Sequence, residues 1–125
     1  MNQKNNNLCE AAPKMIFPCS GAADVGELSD QAARFLTRKG AGKMFCLAGI
    51  GGQVSGIIQS TKDASKILAI DGCPLECTKL CLEKAGFSGF EHMILTDFGL
   101  EKGKTSITEK NINFVVNEAQ KRLNE

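Results

Sequence analysis

The residues best equipped for chemistry are six cysteines, Cys9, Cys19, Cys46, Cys73, Cys77 and Cys81, in a chain of 125 residues. That density exceeds what packing alone calls for. In a reducing compartment, a cysteine cluster is more often metal-binding or catalytic than a disulfide framework. Cys19, Cys46 and Cys73 stand 27 residues apart at each step, and Cys77 follows Cys73 by four. Thiolates do two things well. They hold soft metal ions, and they act as nucleophiles in redox or sulfur-transfer chemistry. Which of these is open depends on the elements that place the sulfurs.

The repeat of 27 is close to the length of one strand–helix unit. Met15-Ile16-Phe17 is a short apolar run stopped by Pro18. A helix is expected from about Asp24, with Leu28, Ala32, Phe35 and Leu36 on one face, ended by glycines at Gly40 and Gly42. Met44–Ala48 reads as a second strand, and Val54, Ile57 and Ile58 as part of a second helix. Ile67–Ile70 is a third strand. Pro74 suits the first position of a helix running to about Ala85, with Gly86 as its stop. His92–Thr96 is a fourth strand, residues 99–106 a polar loop, and Ser106 with Glu109 a capping box. Ile112, Val115, Val116, Ala119 and Leu123 mark a last amphipathic helix. The expected fold is therefore α/β. It has three layers, with a mainly parallel four-stranded sheet covered by helices on both faces, in Rossmann-like βα repeats. Residues 1–14 read as a mobile tail and 15–125 as a single cysteine-rich domain. The pattern leaves the strand order open.

In such a sheet every strand's carboxyl end lies on one edge, where ligands bind. Cys19, Cys46 and Cys73 all fall at or just past a strand's carboxyl end, so three strands deliver three thiols to that edge. On a helix begun at Pro74, Cys77 would lie one turn from Cys73, with Cβ atoms about 5–6 Å apart. Sulfurs around a tetrahedral Zn²⁺ are roughly 3.8 Å apart, within reach of those side chains. Cys19, Cys46, Cys73 and Cys77 thus form a candidate metal site. Helix amino termini at the same edge favour the thiolate form. Zn²⁺ is the first expectation. Cu(I) and an iron–sulfur cluster also suit sulfur donors, the cluster being the lesser alternative. The plain reading stands beside this one: free cysteine is a common buried hydrophobe, and Cys46 between Phe45 and Leu47 fits that description.

Cys81 lies a further turn along and is rotated away by about 40° per four-residue step. It reads as a helix-face residue, with a resolving thiol as the sharper alternative. Cys9 falls in the tail and reads as incidental. Ser20, Asp24, Asp71 and Asp97 share the site's edge. Asp71 is expected to cap the helix after it. The lone His92 begins a strand away from the site.

Several function classes are excluded. Fifteen Lys and Arg against 14 Asp and Glu give a net charge of +1, so the chain lacks the field that recruits nucleic acid or a membrane surface. It has no Trp or Tyr for base stacking and no apolar run of about 18 residues. Met1–Asn7 is polar and unlike a secretory signal, so the expected compartment is the cytoplasm. Gly49-Ile50-Gly51-Gly52 does not complete a dinucleotide or phosphate loop. A single histidine leaves no protease-like triad.

The Asp71-Gly72-Cys73 triplet with Cys77 four residues on resembles the signature of the DGC-domain family. So do Cys19-Ser20-Gly21, Val25-Gly26, Cys46-Leu47-Ala48 and Leu95-Thr96-Asp97. The resemblance covers roughly residues 15–104. That family is named for its Asp-Gly-Cys motif and for four cysteines thought to bind zinc. Carried over by position, they are Cys19, Cys46, Cys73 and Cys77, the set that the strand ends select. Two functions follow as expectations. One is a zinc-binding protein with a four-cysteine site. The alternative is a thiol-redox or sulfur-transfer enzyme using Cys73 with Cys77, or Cys19. The residues leave open whether the protein is an enzyme.

Overall fold

The computed structural model describes residues 12–125. Strand β1 (Lys14–Pro18) leads through helix α1 (Asp24–Arg38) to the two-residue strand β2 (Lys43–Met44). Helices α2 (Leu47–Gly51) and α3 (Ser55–Lys62) follow, then β3 (Lys66–Asp71), α4 (Cys77–Lys84) and β4 (Glu91–Ile94). A short 3-10 turn (Leu95–Phe98) and helix α5 (Glu109–Leu123) complete the domain. Cys9 and most of the expected tail lie outside the described residues; Lys14 already belongs to β1.

All strand pairs are parallel, in the order β2-β1-β3-β4. The chain moves outward from β1 to β2, then crosses to the other side of β1 for β3. The order reverses between β1 and β3, so the crevice at their carboxyl ends is the switch point where ligands of open α/β sheets bind. β1 and β3 are paired along their length, from Lys14 opposite Lys66 to Pro18 opposite Ile70. Cys19 extends that ladder by donating its N–H to the Ile70 carbonyl at 2.8 Å.

Strand residues alternate between two cores. Ile16, Leu68, Ile70 and Met93 face α1 and α5, where Val25, Leu28, Ala32, Leu36, Val115, Val116, Ala119 and Leu123 are buried. Met15, Phe17 and Ala69 face the other way, against Ile50 of α2 and Leu82 of α4. This is the expected three-layer α/β arrangement.

Several local expectations differ from the structure. The apolar run Met44–Ala48 is a strand only as far as Met44, and its remainder opens α2 with Cys46 at the N-cap. Val54 precedes α3 and is half exposed. Phe35 lies at the margin of the apolar face of α1 and is 37% exposed. Thr108 replaces Ser106 as the cap of α5, accepting the Asn111 N–H at 3.1 Å. The fourth strand ends at Ile94, because Leu95 onward winds into the 3-10 turn.

Two glycines set how tightly the loops fold over α1. A Cβ on Gly26 would stand 2.7 Å from the Gly21 carbonyl oxygen, and one on Gly72 2.8 Å from the Val25 carbonyl carbon. Backbone packs on backbone at both points, so neither neighbour has a rotamer with which to yield. Gly26→Ala is expected to destabilise the domain by about 1–3 kcal/mol, seen as a melting temperature lower by several degrees. Gly56→Ala on α3, where nothing lies within 4 Å of the new Cβ, should raise stability by about 0.5 kcal/mol.

Candidate functional site

Four thiols gather around the carboxyl end of the β1–β3 crevice. Cys19, Cys46 and Cys77 line one depression together with Met44, Phe45, Leu47 and Ala48. Cys19, Cys73 and Cys77 line the adjoining one, with Gly72, Leu75 and Lys102. Cys19 and Cys77 are common to both, so the two depressions form one continuous surface carrying all four. Cys46 and Cys77 are exposed, whereas Cys19 and Cys73 are partly buried.

Each sulfur is placed by its own turn. The backbone of Cys19 is held on both sides: its N–H bonds to β3, and its carbonyl accepts the buried Ser29 hydroxyl of α1 at 2.6 Å. Cys46 caps α2, and Cys77 is the first residue of α4. The helix expected from Pro74 does not begin there. Glu76 takes a left-handed backbone (φ 57°), and α4 starts one residue later. Cys73 therefore belongs to the preceding turn, so Cys73 and Cys77 are not neighbours on one helical face.

Asp71 governs that turn. It is buried, with one carboxylate oxygen accepting the Thr78 N–H at 2.7 Å and the other accepting the Lys79 N–H at 3.1 Å. The expected cap is present, seven and eight residues ahead in the chain. The same carboxylate is bonded to His92 Nε2 at 2.8 Å. His92, read from sequence as remote, thus belongs to the support of the Asp-Gly-Cys turn. The contact crosses adjacent strands and has no local signal; the β3–β4 register creates it.

Electrostatics around the thiols is uneven. The Lys102 ammonium lies 3.7 Å from Cys73 Sγ. Lys102 is carried by the loop of residues 99–106, which Asp24 pins by accepting the Gly103 and Thr105 N–H groups, each at 2.9 Å. Those bonds, the one from Gly103 foremost, hold the Asp24 carboxyl below its ordinary value of 3.8. Burial pushes the Cys81 thiol up, and the Cys77 thiolate adds to the effect. Cys81 Sγ sits 4.0 Å from the Leu47 carbonyl oxygen. Asp97 and Ser20 are exposed.

By donor type, the four sulfurs fit a soft cation. Among the described residues, however, no three Cys, His, Asp or Glu side chains stand close enough to hold one. The thiols share a surface without converging on a point.

A model of the DGC domain matches residues 15–119, which spans both depressions. The chain belongs to the DGC domain family. Within the DGC domain, the name-giving triplet is Asp71-Gly72-Cys73, and each of its residues has a distinct part: cap, close backbone approach and thiol. The "Anaerobic and virulence modulator AnvM" of Pseudomonas aeruginosa strain PAO1 is 36% identical over 88 residues, covering 70% of this chain and 67% of that protein. No solved structure matches the chain. No helix among the described residues is long and apolar enough to cross a membrane.

Asp71→Asn places an amide donor where two backbone N–H groups and His92 converge. It is expected to cost about 2–3 kcal/mol, measured by denaturant unfolding. The Asp24 carboxylate is held charged by folding, so its contribution is complete above the ordinary aspartate value. That contribution is lost as pH falls through the lowered one. The Gly103 and Thr105 amides should stay protected from hydrogen exchange at neutral pH and lose protection only in acid; in Asp24→Ala they should exchange readily throughout.

Proposed function

We propose that this DGC domain binds one Zn²⁺ through Cys19, Cys46, Cys73 and Cys77. The observation that carries the reading is the continuous surface on which all four sulfurs lie, at the switch point of the sheet. Loading requires the surface to close. Cys19 and Cys73 sit on turns held by backbone bonds and glycine contacts, while the side chains of Cys46 and Cys77 are exposed and would have to turn inward. A zinc ion with four protein thiolates has no open position, so the chemistry it supplies is cross-linking of three βα turns and not Lewis-acid catalysis. Backbone N–H groups and Lys102 would offset the excess negative charge of the four thiolates. A regulatory use agrees with the name of the AnvM relative, a modulator. The same reading places the protein in the reducing cytoplasm, where thiolate sites persist.

A second reading draws support from Lys102. Nucleophilic cysteines are commonly found beside a cationic side chain, and Lys102 stands 3.7 Å from Cys73 Sγ. In that case Cys73 is the nucleophile of a thiol-redox or sulfur-transfer reaction, with Cys77 as its partner.

Elemental analysis of anaerobically purified protein separates the two. About one zinc per chain, with four thiols unmasked by chelation, is expected. Cys73→Ser should lower the metal content; unchanged stoichiometry would sink the four-cysteine assignment. Metal-free protein in which Cys73 reacts rapidly with iodoacetamide near neutral pH would favour the thiol enzyme instead.

A further inference from the structure

Among the described cysteines, Cys81 is the one that the four-thiol reading leaves unused. It follows Cys77 by one turn of α4, so both side chains leave the helix on the same side. Cys81 is held against α2: its sulfur lies 4.0 Å from the Leu47 carbonyl oxygen, and a Cβ on Gly51 would stand 3.3 Å from it. Leu47 also lines the depression that Cys77 lines. Leu47 thus borders both the Cys81 sulfur and the depression that Cys77 lines, with Cys77 exposed and Cys81 half-buried.

We propose that Cys77 and Cys81 form a dithiol site oxidised by hydrogen peroxide or a small organic hydroperoxide. Exposed Cys77 is the first to react. Its thiolate attacks the near peroxide oxygen, the O–O bond breaks, and hydroxide (or alkoxide) leaves and takes a proton. Cys77 is now a sulfenic acid. The Cys81 thiolate attacks its sulfur, the S–O bond breaks, and a second hydroxide leaves as water. With hydrogen peroxide, two thiols and one peroxide become one disulfide and two waters.

The backbone accommodates the bond. Cβ atoms four residues apart on a helix lie about 5–6 Å apart, and a disulfide needs about 3.8 Å. Asp71 grips the amides of Thr78 and Lys79, and α2 holds Cys81, so the body of α4 stays in place. Cys77 alone must shift. It is the first helical residue and follows Glu76, whose left-handed backbone (φ 57°) forms the corner into the helix. The disulfide takes Cys77 off the shared surface. On the zinc reading above, on which this last consequence rests, oxidation removes a ligand and releases the metal.

The test uses the full chain, zinc-loaded and metal-free, treated with hydrogen peroxide. Free thiols are then alkylated and the protein digested with trypsin. Cleavage after Lys79 separates Cys77, in Ile67–Lys79, from Cys81, in Leu80–Lys84. A disulfide joining these peptides is expected, with fragmentation placing it on Cys77, and it should be absent from Cys77→Ser, Cys81→Ser and Cys81→Ala. Zinc release, followed with a colorimetric chelator, should be at least about tenfold slower in Cys81→Ser and Cys81→Ala, whose zinc stoichiometry equals that of the parent. Cys81 remaining fully alkylatable after oxidation, or a link mapping to Cys73 or Cys19, would overturn the proposal. Zinc bound by the parent but released at equal rates from the Cys81 variants would overturn the switch and leave the metal site standing. A Cys77–Cys81 link in protein that binds no zinc would leave the dithiol standing and remove the metal reading.

Discussion

One buried carboxylate organises the chemistry-bearing end of this domain. Asp71 closes β3 and reaches forward to the first amides of α4 and sideways to His92 of β4. Three elements from separate parts of the chain thus meet at two oxygen atoms. A carboxylate against the amino end of a helix is favourable twice, through charge-assisted hydrogen bonds and through the helix dipole. Its reach fixes the length of the turn between Asp71 and α4, and that turn carries Cys73. The left-handed Glu76 is a cost that this anchoring sustains.

The neighbouring turn from β1 is held by a different device. Cys19 is bonded to β3 through its N–H and to α1 through its carbonyl, while Gly26 lets the Cys19–Gly21 segment lie on the helix without a side chain between. Cys19 and Cys73 therefore sit on turns that the core dictates. Cys46 and Cys77 stand at the starts of helices with their side chains toward solvent. Two of the four thiols are thus fixed by backbone bonds and two are exposed. Lys102 arrives by a third route, on a loop that the Asp24 carboxylate anchors.

The sequence conveys what depends on local periodicity and little of what depends on register. Short apolar runs, stopped by Pro18 and by Asp71-Gly72, mark β1 and β3, and with them the edge where Cys19 and Cys73 lie. The run Met44–Ala48 misled because a short buried strand and a short buried helix have the same apolar composition; only the backbone bonds of α2 divide it at Cys46. Pro74 looked like a helix start because proline is tolerated there, yet the grip of Asp71 on Thr78 and Lys79 sets the start at Cys77. His92 and Ser29 carried no signal at all. Their partners, Asp71 and the Cys19 carbonyl, are contacts made across strands or between helix and strand end. They became visible only once the order β2-β1-β3-β4 was known.

That strand order also bears on how the chain is made. β1 lies inside the sheet, but during synthesis it first acquires only the two-residue β2 on one flank. Its other flank waits for Lys66–Asp71 to emerge. A nascent chain halted in that interval presents the unpaired backbone edge of Lys14–Pro18 to any other extended chain nearby. The ribosome must therefore deliver the Asp-Gly-Cys segment before the first strand is safe, and the arrival of β3 both ends that exposure and brings Cys19 and Cys73 together.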